Sequence, residues 1–179
     1  DKTDVKAHQL MTSKVHAHGA LAGAELWYGG ANASSQYTRL PPLDVNSRPN
    51  STGLPFQSRK MDNQDFKDLR NWFRQAAIRA REAEFDIMYA YANHYYLLHN
   101  FQRTDINDRS DSYGGNVKGR SKLLKEIIEI LKEEARDQMA VAVRFSPNED
   151  NTNDTNETLD FFNEISELPD LWDLTPLDW

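Results

Sequence analysis

Four short apolar runs, each of strand length, alternate along this chain with segments whose apolar residues recur at helical spacing. The predicted strands span residues 20–28, 85–91, 139–145 and 170–175. The predicted helices span residues 2–18, 62–84 and 117–136, with a short one from about 159 to Pro169. Repeated strand–helix units imply parallel strands joined by right-handed crossovers. The predicted fold class is therefore α/β, either an open doubly wound sheet or about half of an eight-stranded (β/α)8 barrel.

The second predicted strand leads into the stretch that carries the most chemistry, residues 85–120. Tyr91, His94 and Tyr96 crowd the C-terminal end of this strand, and a polar loop follows that closes on residues 113–115, Tyr-Gly-Gly. In α/β barrels the loops after the strands carry the functional groups. We therefore expect a functional site here.

Composition excludes several classes of function. The 179 residues suit one domain, and a net charge of −7 argues against a nucleic-acid or anionic-membrane partner. The chain has no cysteine, which rules out disulfides, iron–sulfur ligation and thiol catalysis by its own residues. No apolar run reaches membrane-spanning length and no secretory leader is visible, so a cytoplasmic protein is expected. The first residue is not Met and the last predicted strand lies close to Trp179, so we expect a fragment.

Two charged residues stand out within the predicted strands. Glu25 lies inside an apolar run, where a carboxylate needs a partner. Arg144 lies near the end of the third strand, where it is costly unless it meets an anion, an electron-rich ligand or a structural salt-bridge partner. Gly29-Gly30 ends the first strand and either brings the backbone close to a ligand or forms a plain turn.

The remaining polar candidates leave more than one interpretation open. Residues 31–60 are rich in Ser, Asn and Pro and too long for an inert connection, which indicates a loop over an active site. Within it, Arg39 and Arg48 either face an anion or are solvated. His8, His16 and His18 lack a carboxylate at ligand spacing, so solvated or partly packed histidines are favoured over a metal site. The chain has no Gly-x-Gly-x-x-Gly turn after a strand and no Walker loop.

Three segments carry a resemblance to a known family. They are GALAGAELWYGGA (residues 19–31), FDIMYAYANHYYLLHNF (85–101) and DRSDSYGGNVKGR (108–120). Together they resemble the old yellow enzyme family of FMN-dependent (β/α)8 barrels, and within it the branch of trimethylamine, dimethylamine and histamine dehydrogenases. The resemblance covers nearly the whole chain and implies a partial TIM barrel, about strands 3 to 6 with their helices. Residues 1–179 would then be the central part of one FMN-binding domain.

The resemblance assigns cofactor and catalytic roles residue by residue. Glu25 matches the position that hydrogen-bonds the flavin pyrimidine edge, and Arg144 matches the arginine that faces flavin N1 and O2. His94 matches the second position of the ene-reductase His-x-x-His or His-x-x-Asn motif, while Tyr91 replaces its first His, as in amine dehydrogenases. Tyr96 matches the tyrosine that donates a proton in ene-reductases.

Three further assignments concern the substrate side of the site. Asp173 is the best match for the aspartate of a Tyr–His–Asp set. Tyr28 and Trp172, together with Tyr91, are candidate walls of an aromatic pocket for a cationic amine. A second set of residues matches a family signature to which the resemblance gives a structural role: Arg109, Asp111, Tyr113, Gly114, Gly115 and Arg120. Asn116, Gly119 and Pro176 depart from the family pattern.

The resemblance also implies cofactors and partners. FMN is the expected cofactor, and relatives in the amine branch carry a 4Fe-4S cluster whose ligands are not in this chain. The expected partners are a small amine, an electron acceptor and further copies of the chain. An ene-reductase or dienoyl-CoA-reductase activity, and a barrel fragment without catalysis, remain the alternatives.

Overall fold

The computed structural model describes residues 2–36, 38–50, 55–146 and 155–175, and for residues 155 and 156 the backbone only. The helices are α1 (Lys2–His16), α2 (Asn63–Glu82), α3 (Leu97–Gln102), α4 (Val117–Ala135) and α5 (Thr155–Ile165). The strands are β1 (Gly23–Leu26), β2 (Leu43–Asp44), β3 (Arg59–Lys60), β4 (Ile87–Ala92), β5 (Ala140–Phe145) and β6 (Leu171–Leu174). A 3₁₀ turn, Gly30–Asn32, follows β1.

The main sheet contains four strands in the order β1-β4-β5-β6, and every neighbouring pair is parallel. This confirms the four predicted strands as sheet neighbours in chain order. A doubly wound sheet reverses its strand order at a switch point, whereas a barrel does not. No reversal occurs among the described strands, so the arrangement is that of a barrel segment.

Alternation along the strands separates a helix-facing side of the sheet from an opposite side. The core that packs against the helices includes Met88, Ala90 and Ala92 from β4 and Val141, Val143 and Phe145 from β5. Because successive side chains of a strand point to opposite faces, Tyr89, Tyr91 and Arg144 face the other way. We call this opposite side the inner face of the sheet, since in a closed barrel it would point inward.

The helices that cover the outer side form as their sequences predict. Asp62 caps α2 by accepting hydrogen bonds from the backbone N–H groups of Gln64 and Asp65, and the Asp65 side chain completes a capping box. The buried side of α4 includes the predicted Leu123, Leu124, Ile127, Ile128 and Leu131. Arg74 of α2 bonds Glu133 and Glu134 of α4, which holds the two helices side by side.

Three local predictions differ from the structure. Residues 30–60 contain the 3₁₀ turn and a small parallel ribbon, β2 with β3, and neither was predicted. The polar loop expected after residue 96 begins instead with α3, whose six residues are all buried. A helix buried on every side shows no amphipathic period, so its pattern was not recognisable. Helix α5 begins at Thr155, earlier than expected.

The predicted structural loop ties the segment before α2 to the segment before α4. Arg109 is buried and donates to the backbone oxygens of Val45 (3.0 Å) and Met61 (2.9 Å) and to the Asp111 carboxylate. Gly114 lies so close to the Arg109 backbone that a Cβ atom there would clash with the Arg109 carbonyl oxygen. These contacts agree with a structural role for the loop.

Candidate functional site

Arg144 of β5 joins three strands on the inner face. Its Nη1 donates to Glu25 Oε1 of β1 at 2.5 Å, across 119 residues of chain, and its Nε lies 3.4 Å from Asp173 Oδ2 of β6. Desolvation works to lower the pKa of Arg144, but the hydrogen bond to Glu25 and the charge of Asp173 outweigh it, so the pKa lies above its ordinary value. The guanidinium is therefore charged at any working pH.

Tyr91 and His94 form the second pair of the site. The Tyr91 hydroxyl lies 2.6 Å from His94 Nδ1, and the Arg144 guanidinium carbon lies 5.7 Å from the centre of the Tyr91 ring. Burial, and next the negative charge of Glu25, raise the pKa of Tyr91. The phenol therefore keeps its proton at neutral pH, and it donates to Nδ1 in the His94 tautomer that carries the ring proton on Nε2.

Aromatic rings extend this pair toward the end of β1. The Tyr96 ring lies 5.7 Å from that of Tyr91 and 6.5 Å from that of His94, between ring centres. Trp27 lies against Tyr96 at 4.7 Å and is 55% exposed. Trp27 was not among the predicted site residues, although its position two residues after Glu25 was a signal that both occupy the same face.

Tyr28 is not part of this aromatic surface. Its ring stacks on Trp72 of α2 at 6.1 Å, and its hydroxyl accepts the backbone N–H of Leu43 at 3.3 Å. Trp172 likewise turns to the helix side, where it packs against Phe145 and Phe162 and donates to the Ser166 carbonyl oxygen. The alternation of side chains places both rings on the outer side of the sheet, so the structure does not bring them to Tyr91.

Asp173 reaches the inner face but contacts Arg144 rather than His94. Among the described residues, the expected Tyr–His–Asp set is therefore a direct Tyr91–His94 pair, with Asp173 connected through the guanidinium. Glu25 also differs from expectation in burial, since its side chain is 43% exposed although it is paired as predicted. The reason is that β1 is an edge strand of the described sheet.

The other polar candidates lie outside this cluster. Arg48 bonds the buried Asp44 carboxylate at 2.9 Å, and Arg39 is exposed. His16 Nε2 lies 2.8 Å from Asp86 Oδ2, and His8 packs edge-on against Phe85. In the part of the chain that the structure describes, no group of three or more His, Cys, Asp or Glu residues is placed to hold a metal ion. Within the same residues, no helix is both long and apolar enough to cross a membrane.

Comparison with known proteins places this geometry among flavin enzymes. The model of the NADH:flavin oxidoreductase / NADH oxidase family matches residues 1–177. Dimethylamine dehydrogenase of Hyphomicrobium sp. (strain x) is 30% identical over 151 residues, which are 80% of this chain and 20% of that protein. Arabidopsis thaliana 12-oxophytodienoate reductase 2 is 30% identical over 161 residues, covering 83% of this chain and 42% of the relative.

A solved structure extends the match to the whole chain. Histamine dehydrogenase from Rhizobium sp. 4-9 superposes with a TM-score of 0.92 at 35% identity, covering 100% of this chain and 27% of that one. The chain thus spans between a fifth and about two fifths of these relatives, and its parallel sheet is the predicted partial (β/α)8 barrel. It belongs to the NADH:flavin oxidoreductase / NADH oxidase family.

Proposed function

We propose that this chain forms part of an FMN-dependent amine dehydrogenase that oxidises a secondary or tertiary amine such as trimethylamine. The observation that carries the proposal is the Tyr91–His94 hydrogen bond of 2.6 Å beside the Arg144–Glu25 pair. The similarity to a dimethylamine dehydrogenase and a histamine dehydrogenase supports it.

The residues on the inner face fit a flavin ring by their donor and acceptor chemistry. The pyrimidine edge of a flavin alternates carbonyl acceptors with one N–H donor. A guanidinium has five N–H donors, and a carboxylate has two acceptor oxygens, so each retains capacity beyond the bond that joins them. The side chains of Arg144 and Glu25 are 30% and 43% exposed, which leaves both accessible to such an edge.

In this proposal FMN, when bound, would supply the redox chemistry by accepting a hydride equivalent, two electrons and one proton, from the carbon beside the amine nitrogen. Arg144 holds positive charge at the pyrimidine edge, and Glu25 accepts from the ring N–H. The Tyr91–His94 pair receives and holds the proton that the amine must lose before its lone pair is available. The rings of Tyr91, Tyr96 and Trp27 offer π faces to a substituted ammonium group. The iminium product hydrolyses to an aldehyde and the smaller amine.

The test compares two electron donors on the FMN-loaded whole protein. Trimethylamine or dimethylamine with a dye acceptor should give turnover and bleach the flavin absorbance in rapid mixing. NADPH with an enone should give at least about tenfold lower kcat/KM, a difference of about 1.4 kcal/mol in transition-state free energy. Enone turnover with no amine oxidation across a panel of small amines would contradict the proposal.

An ene-reductase is the second candidate, since His94 and Tyr96 are adjacent on the same surface and a 12-oxophytodienoate reductase is among the relatives. His94 would hold a substrate carbonyl while Tyr96 protonates the alkene carbon. Against it stands Tyr91, which occupies the place of the first His in the ene-reductase motif. A barrel without catalysis is the third reading, and flavin fluorescence on titrating the protein with FMN would distinguish it.

A further inference from the structure

The turn that presents His94 adopts an unusual backbone conformation. His94 and Tyr95 have φ values of 53° and 58°, and the Tyr96 N–H donates to the Asn93 carbonyl oxygen at 3.1 Å. Two consecutive residues with positive φ inside such a bond correspond to a type I′ turn, whose central positions favour Asn and Gly. A His followed by a Tyr is poorly suited to this conformation, so neighbouring groups must hold it.

Hydrogen bonds from three side chains hold this turn. The His94 N–H donates to Asn93 Oδ1 at 2.6 Å, and the Tyr95 carbonyl oxygen accepts from Asn32 Nδ2 at 3.4 Å. The Tyr95 N–H donates to Nδ1 of His99 at 3.0 Å. His99 belongs to α3 and is 1% exposed, so this last contact anchors the turn to a buried helix.

The imidazole of His99 can act only as a neutral acceptor at this position. Burial first, and then the positive charge of Arg103, lower its pKa to about 3. With Nδ1 accepting, the ring proton lies on Nε2, which is buried and has no hydrogen-bond partner among the described residues. An unpartnered buried N–H is destabilising. Packing alone would be better served by an apolar side chain, so the acceptor at Nδ1 is the feature that explains a histidine here.

We propose that His99 is a positioning residue: through the Tyr95 N–H it holds the left-handed turn that aims His94 at Tyr91. The effect on reaction rate rests on the proposed function, whereas the effect on the Tyr91–His94 hydrogen bond does not. His99 itself does not touch the inner face, so it acts only through the turn.

A matched pair of variants in the FMN-loaded whole protein isolates the acceptor. His99→Asn keeps an acceptor at the same place, since Oδ1 of Asn is bonded to Cγ as Nδ1 of His is. His99→Leu has nearly the shape of Asn but no acceptor. We expect the downfield proton signal of the Tyr91–His94 hydrogen bond, measured by NMR, to persist in His99→Asn and to disappear in His99→Leu. Circular dichroism and bound FMN, equal in both variants, control for folding.

A second substitution tests the backbone step. Glycine adopts positive φ without steric cost, so adding Tyr95→Gly to His99→Leu should restore the proton signal. Where an amine reduces the flavin, the rate of flavin reduction should be about tenfold lower in His99→Leu than in His99→Asn. This is the effect expected of one hydrogen bond. The double variant should recover most of that rate.

Two results would overturn the proposal. One is a His99→Leu protein that keeps the Tyr91–His94 proton signal. The other is loss of that signal in both single variants with no recovery on Tyr95→Gly, since this would assign His99 to packing alone. A parent protein whose flavin no amine reduces would contradict the proposed function, but it would leave the NMR comparison fully informative.

Discussion

At the scale of single residues, the site depends on polar groups that are each held by a complementary partner. Arg144 neutralises Glu25 and approaches Asp173, so three charges on three strands leave a net of one negative charge at the site. Tyr91 lies beside this cluster and keeps its phenol proton because burial and the Glu25 carboxylate raise its pKa. These pairs explain how charged side chains are stabilised on the inner face, where the proposed function requires a bound flavin.

Tyr91→Phe tests the proton-holding pair. The ring and its packing remain, and one hydrogen bond of about 0.5–1.5 kcal/mol is lost. Because about 1.4 kcal/mol corresponds to tenfold in rate, flavin reduction by the amine should slow by about tenfold or somewhat more. Stopped-flow absorbance of the flavin measures this, with FMN content unchanged as the control. If the amine reduces the flavin of the variant at the parent rate across pH, the Tyr91 hydroxyl has no role in the reaction and the ring only lines the pocket.

Arg144→Gln tests the cofactor-facing charge. Removing the guanidinium takes away its donors to the flavin edge and leaves the carboxylates of Glu25 and Asp173 without the cation that both contact. A hydrogen bond to a charged group contributes about 1.5–3 kcal/mol, so the Kd for FMN should rise by about ten- to a hundredfold. Fluorescence titration with FMN is the measurement, and Arg39→Gln, at an exposed arginine away from the cluster, is the control. An unchanged Kd in Arg144→Gln would remove Arg144 from the cofactor site.

At the scale of secondary-structure elements, β4 and β6 are each preceded by an aspartate that accepts a backbone N–H and pairs with a basic side chain of a helix. Asp86, just before β4, accepts the Ala22 N–H at 2.7 Å and pairs with His16 of α1. Asp170, just before β6, accepts the Val141 N–H at 2.8 Å and pairs with Lys132 of α4. Each aspartate thus connects its strand to the neighbouring segment and to a preceding helix, at the end of the sheet opposite to the site.

Asp170→Asn tests the contribution of these aspartates through the pH dependence of stability. The hydrogen bond from Lys132, and then that from the Val141 N–H, hold the pKa of Asp170 below its ordinary 3.8. A lowered folded-state pKa stabilises the fold above the unfolded value, and this contribution disappears as pH falls through the folded value. The variant should therefore lose stability at pH 7 and match the parent near pH 2.

Partial exposure limits the size of that effect. The Asp170 side chain is 45% exposed, so the loss at neutral pH should be about 1 kcal/mol or less. Urea unfolding at several pH values measures it, and Asp137→Asn at an exposed position serves as the control. A loss of equal size at pH 2 and pH 7 would show that the ionised carboxylate is not responsible.

At the scale of the whole molecule, α4 is the element around which the outer layer is assembled. It contacts α2, α3 and α5 and lies across β4 and β5. Its residues Leu123, Ile127 and Leu131 are fully buried in the same core as the outward side chains of the strands. The described helices pack on this one side, which leaves the inner face available for the polar cluster.

Ile127→Ala tests the central place of α4. Truncating a fully buried isoleucine removes apolar contacts and leaves a cavity, so the free energy of unfolding should fall by about 2–5 kcal/mol. Leu159→Ala on α5, at a side chain that is 54% exposed, should change it by only about 0.5 kcal/mol or less. Chemical denaturation followed by circular dichroism compares the two, and equal losses would contradict the central role of α4.

The sequence by itself determined the elements whose signals are local. Alternating apolar runs and helical stripes predicted the four strands, their parallel order and the helices α1, α2 and α4, and Asp62 marked the start of α2. It also placed Tyr91 and His94 together, since three residues at a strand end cannot separate far. The likeness of whole segments to a flavin-enzyme family was a further property of the sequence.

Tertiary structure alone decided which distant groups meet. Arg144 and Glu25 are 119 positions apart in the chain. Their contact depends on β1, β4 and β5 pairing in the observed register. The contacts of Tyr28 with Trp72 and of Trp172 with Phe162, and the burial of α3 with His99, likewise follow from packing against other elements. Local patterns report the conformation of the chain at one place, whereas a site at the ends of parallel strands forms only when the crossovers bring those ends to one edge.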